Sequence, residues 1–134
     1  MTHAAVIRLA ERNMRARELA TKTTARHTTP PALPRLADTI ITGCLHAGFP
    51  ADTLRHQQVL CLAEEAGEFV GAYRRWAGLA RRTGNFDDVT AELADVVISA
   101  YVAAAALGID LDAAWRAKAR VITSRGWREP PPAA

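Results

Sequence analysis

Apolar residues recur at Leu36, Ile40, Ile41, Cys44 and Leu45, the three-and-four spacing of one helix face. This predicts a first core helix that ends near Gly48 and Pro50. A second pattern passes through Leu60, Ala63, Phe69 and Tyr73, with Asp52 read as its N-cap, and runs to about Trp76 or Leu79 before Gly84 and Asn85 break the chain. The third, with Asp87 or Asp88 as cap, carries Val89, Leu93, Val96, Val97, Ala100, Tyr101 and Ala104 to a stop at Gly108. Asp110 caps a fourth, on which Leu111, Trp115, Lys118 and Ile122 form an inward stripe before Gly126. Strand signals are nearly absent. The pattern predicts an all-α fold with a four-helix core, neighbours antiparallel because the linkers are short.

Upstream, residues 3–19 have enough Ala, Leu, Arg and Glu for an extra N-terminal helix, and residues 21–34, rich in Thr with Pro30, Pro31 and Pro34, read as a linker. The expected organisation is a basic extension over 1–34, a helical domain over 35–128 and a Pro/Ala tail over 129–134. A chain of 134 residues with 49% apolar content is one globular domain, not a disordered protein. The run from Val96 to Ile109 falls short of the ~20 apolar residues of a membrane span. It reads as a deeply buried core helix, with no membrane partner expected. No secretory signal is evident, and Cys44 and Cys61 match no metal spacing, so both read as reduced core residues of a cytoplasmic protein. The net charge of +3 is uneven: residues 1–34 hold six Lys/Arg against two Glu, and the remainder holds 11 against 12. Basicity confined to an extension without interleaved aromatics reads as solvated charge, and nucleic acid is not an expected partner.

The acidic residues change the picture more. Glu65 and Glu68 lie in a stretch without Lys or Arg from His56 to Tyr73, and Glu92 and Asp95 in another from Thr83 to Trp115. Each pair has i,i+3 spacing, which puts its side chains roughly 60° apart around a helix and ~4.5 Å apart along it. Like charges so placed oppose helix formation. Two such faces meeting across a helix interface would form an oxygen cage for a hard divalent cation, of which Mg²⁺ is the usual one where phosphates complete the shell. A ferritin-like di-iron centre would need Glu-x-x-His pairs, which His3, His27, His46 and His56 do not provide. Gly67 and Gly71, four apart on the acidic helix, allow another backbone to approach closely there.

Glu64-Glu65-Ala66-Gly67-Glu68, followed by Glu92-Leu93-Ala94-Asp95, resembles the paired motif of the MazG-like family of all-α nucleoside triphosphate pyrophosphohydrolases. The resemblance covers roughly residues 36–127. It implies the four-helix core of that superfamily and Mg²⁺-dependent cleavage of a nucleoside triphosphate to the monophosphate and diphosphate, with Mn²⁺ able to substitute, in the service of nucleotide-pool house-cleaning. By motif position Glu65, Glu68, Glu92 and Asp95 would be metal ligands, and Glu64 would orient or deprotonate the attacking water, making Glu64 and Glu65 the catalytic pair. Lys118 with Arg125 would face substrate phosphate. Four residues beyond that Lys, where many relatives have Asn, this chain has Ile122.

Tyr73 and Trp76 are candidates for stacking on the base, with core packing as the competing role. Arg74, Arg75, Arg81 and Arg82 read as solvated charge at a helix end. A homodimer or homotetramer is expected, because one small four-helix unit would struggle to cover the very apolar third helix. Two other functions compete. A phosphoribosyl-ATP pyrophosphohydrolase ranks second, since that branch usually has a Lys just before its acidic doublet, where this chain has Cys61-Leu62-Ala63. A catalytically silent helical oligomer that binds a nucleotide or regulates a partner ranks third.

Overall fold

The computed structural model describes residues 31–125. The chain divides between Pro30 and Pro31, and the expected N-terminal helix and the Pro/Ala tail lie outside the described residues. Within them are four helices, α1 (Leu33–His46), α2 (Ala51–Trp76), α3 (Phe86–Leu107) and α4 (Leu111–Ser124), and no strand. The fold is all-α, as the periodicity predicts.

Helix boundaries follow local chemistry, in places against the expected assignment. α1 begins before Arg35, because Pro34 sits in the first turn, where a missing N–H breaks no helical bond. Leu33 and Pro34 therefore belong to the helix and not to the linker. α2 is preceded by Pro50, whose φ of −65° already gives the extended entry, and no side chain caps it. Asp52 is a first-turn residue whose carboxylate accepts from the Thr53 amide at 2.9 Å.

The cap of α3 is Asn85 and neither Asp87 nor Asp88. Its side chain accepts from the Asp88 amide at 2.8 Å, while the Asp88 carboxylate accepts from the Asn85 amide at 3.5 Å, closing a capping box. Gly108 ends α3 with a φ of +69°, and the Gly108 and Ile109 amides donate to the carbonyls of Ala105 and Ala104. Asp110 caps α4 as expected, accepting from the Ala113 amide at 2.9 Å.

α2 packs along α3, and α1 packs on α3 as well. Trp76 at the end of α2 meets Phe86 at the start of α3, ring centroids 5.1 Å apart, and Glu68 lies against Glu92. These pairs fix an antiparallel register in which contacting residue numbers sum to about 160. The buried residues are Ala37 on α1, Leu54 and Ala72 on α2, and Val89, Val102, Ala103 and Ala104 on α3. They are mostly small, so the helices approach closely and the core is thin.

Much apolar surface is left over. Val59, Leu60 and Val70 on α2, Leu93 and Val97 on α3, and Trp115 and Val121 on α4 are all exposed, Leu60 by 68%. The deeply buried α3 expected from composition is therefore covered only in part. Its length, extended upstream to Phe86, also makes it long and apolar enough to cross a membrane by those two criteria. α4 has no buried residue, and Lys118 is exposed, contrary to its expected inward position. Periodicity marks an apolar face; it does not supply the surface that covers it.

Candidate metal centre

Helical geometry places two of the acids inside the α2–α3 seam. On α2, Glu65 follows Leu54 and Cys61 and precedes Ala72 at intervals of seven and four, so it shares their inward column. On α3, Glu92 lies in the column of Val89, Val96 and Ala103. Both are half-buried, while Glu68, one helical step toward the rim, is exposed. One carboxylate oxygen from each of Glu65, Glu68 and Glu92 falls in a group whose members all lie within 4.8 Å of one another.

The surrounding acids raise the proton affinity of the two half-buried members, Glu65 and Glu92. The Glu65 carboxyl is pushed above the usual range, first by desolvation and then by the charges of Asp95, Glu68, Glu92 and Glu64. Glu92 is pushed up as well, first by desolvation, then by Glu68 and Asp95, with a hydrogen bond to Glu68 adding to the effect. The charge of Arg75 acts in the opposite sense on Glu92. Asp95 is exposed and stands outside the close group, yet it is the strongest charge acting on Glu65. Glu64 is exposed, 100° around α2 from Glu65.

An all-oxygen donor set that converges in a partly desolvated seam fits a hard divalent cation, which would replace mutual repulsion with attraction. The sequence-predicted residues are thus partly united. Glu65, Glu68 and Glu92 come together, with Asp95 beside them. Lys118 and Arg125 are exposed on and just after α4, and the cation acting on Glu92 is Arg75. Reading Arg74 and Arg75 as helix-end charge missed that role; a usable signal was Gly71, which sits one turn before Arg75 on the face of Glu64 and Glu68. Trp76 is half-buried, tilted against Tyr73 at 5.8 Å and Phe86 at 5.1 Å, so packing holds it, while Tyr73 remains exposed.

A second carboxylate centre lies at the other end of α3. The Tyr101 hydroxyl donates to Asp112 at 2.6 Å and the Trp115 indole N–H donates to the same oxygen at 3.1 Å. Asp112 is held below the usual carboxylate range by these two bonds, Tyr101 first. A cavity of about 480 Å³ beside it is lined by Pro34, Ala37, Asp38, Tyr101 and Arg116 among others. By helix rise it is well over ~10 Å from Glu92, and it contains none of the clustered acids.

No curated protein and no solved structure matches the chain significantly. A protein family does match. Residues 46–120, which span α2, α3 and most of α4 and include every clustered acid, match phosphoribosyl-ATP pyrophosphohydrolase. The all-α superfamily inferred from the paired acidic motif is therefore correct, and the match falls to the branch that the residues before the acidic doublet had placed second. With more than half of its residues matched and the acidic cluster among them, the chain belongs to the phosphoribosyl-ATP pyrophosphohydrolase family.

Proposed function

We propose that this protein is a Mg²⁺-dependent pyrophosphohydrolase that cleaves phosphoribosyl-ATP between its α- and β-phosphates, giving phosphoribosyl-AMP and diphosphate. The observation that carries the reading is the convergence of Glu65, Glu68 and Glu92 within the part of the chain that matches the family. Those three residues, with Asp95 beside them, would hold the cation, and Mn²⁺ would substitute. When bound, the cation supplies charge neutralisation for the polyphosphate and polarises its phosphoryl oxygens. Glu65 and Glu92, set in the seam, fix the position of the site; Glu68 and Asp95 at its rim face the side from which substrate enters. Glu64 is the carboxylate left to orient or deprotonate water, and the exposed ring of Tyr73 offers a face to a base.

A second reading keeps the chemistry and changes the substrate to another nucleoside triphosphate, in nucleotide-pool house-cleaning. The observation favouring it is the absence of a Lys in Cys61-Leu62-Ala63, just before the acidic doublet. Diphosphate release from phosphoribosyl-ATP and from a panel of standard and modified triphosphates, with and without Mg²⁺, separates the two. The expected result is Mg²⁺-dependent release from phosphoribosyl-ATP, lost in Glu65→Ala. Turnover confined to other triphosphates supports the second reading, and no turnover on any of them overturns the enzymatic reading in favour of a silent nucleotide-binding oligomer.

The proposal includes a homo-oligomer in the cytoplasm. The outer face of α2 carries Val59, Ala63, Gly67 and Val70 at intervals of four, four and three, roughly opposite the inward column of Glu65. A helix apolar on both sides is normally buried on both, and a second copy presenting the same stripe supplies the cover. Light scattering on the wild type and on Val70→Asp tests it, with a shift of the variant to monomer expected.

A further inference from the structure

Two of the four arginines near the end of α2 are outside the helix. Arg74 and Arg75 lie in its last turn, where cations offset the macrodipole; Arg81 and Arg82 lie in the following connection, where that explanation does not reach them. The chain nevertheless brings all four, with Gly71 and Ala80, around one solvent-open cavity of about 350 Å³. The Arg74 guanidinium reaches the Leu79 carbonyl at 3.4 Å, tying the helix end to the connection.

Two glycines make room for this arrangement. A Cβ on Gly71 would stand 3.2 Å from an Nη of Arg75, and one on Gly84 would stand 2.9 Å from the Arg75 Cβ, so a side chain at either position crowds Arg75. Gly84 is the tighter case, because its neighbour is the root of the arginine and cannot swing away. Arg75, half-buried as a result, is seven residues beyond Glu68, hence on the same face of α2 and ~10 Å along the axis from it. Four arginines lining one cavity concentrate positive charge that an anion would offset, and guanidinium geometry matches phosphate oxygens two at a time.

We infer that the cavity lined by Arg74, Arg75, Arg81 and Arg82 is a phosphate subsite of the substrate, next to the acidic cluster on the same face of α2. The inference rests on the proposed function for the identity of the anion. Phosphoribosyl-ATP offers phosphate at two ends, the terminal diphosphate of the triphosphate and the phosphate of the phosphoribosyl group. Both present the same chemistry to an arginine fork. The subsite would explain how a site built from carboxylates holds a polyanion: attraction at one end of the seam offsets repulsion at the other.

The test uses the full chain and the double variant Arg81→Ala/Arg82→Ala, whose side chains are exposed and whose folding is checked by circular dichroism. Arg116→Ala/Arg120→Ala on α4 is the control of equal charge. Calorimetric titration with inorganic pyrophosphate and with ribose 5-phosphate, in chelator, is paired with the KM for phosphoribosyl-ATP and for ATP. A tenfold or greater loss of pyrophosphate affinity with KM raised for both nucleotides supports the subsite and assigns it to the diphosphate. Loss of ribose 5-phosphate affinity, with KM raised for phosphoribosyl-ATP alone, supports it and assigns it to the phosphoribosyl end. Unchanged binding and KM, or an equal loss in the control, overturns it. Pyrophosphate binding that depends on Arg81 and Arg82 in a protein that hydrolyses none of the nucleotides would sink the proposed activity and leave the anion site standing.

Discussion

The two ends of α3 treat carboxylates in opposite ways. At the near, N-terminal end, Glu65 on α2 and Glu92 on α3 are pushed up in pKa, first by desolvation and then by the charges of the surrounding acids. At the far end Asp112 is pushed down, because Tyr101 and Trp115 each give it a hydrogen bond. The far centre is complete with the donors the chain supplies, and it fastens α4 to α3. The near centre has acceptors in excess of donors, a set whose charge would be balanced by a bound cation.

The largest expected effect comes from removing one charge at the near end. Glu65→Gln should lower Mg²⁺-dependent turnover at least about 10²-fold, since it removes one of the charges that would hold the cation against the reacting phosphates. The same variant should melt no lower than the wild type without metal, because a repulsive charge has gone; a marked loss of stability in chelator would show the cluster to be structural.

Next is the cation itself. Melting in Mg²⁺ or Mn²⁺ should rise by several degrees at neutral pH and by much less near pH 4. The sign follows from the raised pKa values: the folded chain binds protons at Glu65 and Glu92 more readily than the unfolded one. The stability contributed by those protons is present below the unfolded pKa and is lost as pH rises through the folded one. Above that window the empty cluster opposes folding and metal relieves it; below it, protons compete with metal.

Asn85→Ala should cost about 1 kcal/mol in urea unfolding, the usual value of an N-cap, because it opens the capping box that starts α3. Any loss of activity beyond that of the folded fraction would show that the cap also sets the position of Glu92.

The smallest effect belongs to the far end. Asp112, with its lowered pKa, contributes stability that is present above the unfolded carboxylate pKa and lost as pH falls through the folded one. Tyr101, whose pKa is raised chiefly by its bond to Asp112, contributes stability that is present below the ordinary phenol range and lost in strong alkali. Tyr101→Phe should therefore lower the melting temperature slightly at neutral pH and flatten both the acid and the alkaline limbs, without changing the response to metal.

How much of this was legible in the sequence varied with the range of the interaction. The helix periods, the Gly108 stop and the Asp110 cap are local, and each appeared where expected. The pairing of Glu65 and Glu68 with Glu92 was legible because charged residues in apolar columns must face something. The Asn85 cap was obscured by two acids immediately after it, although Asn followed three positions later by Asp88 is itself a capping-box signature. Lys118 was misplaced for a different reason: the ends of the α4 stripe, Leu111 and Ile122, are half-buried, but its middle, Trp115 and Lys118, is exposed. Arg75 was hidden because its environment is made by Gly84, nine positions away across a turn.

The antiparallel register of α2 and α3 decides where the chain can change length. An added or deleted residue between Glu68 and Arg75 turns the rest of α2 by 100°, so Arg74, Arg75 and Trp76 lose their alignment with the acids and with Phe86. The same change in the connection over residues 77–83 leaves both helices in phase and alters only the reach of Arg81 and Arg82. Relatives should therefore vary in length there, and the number of residues between the acidic doublet and Trp76 should stay constant among those that keep the cluster.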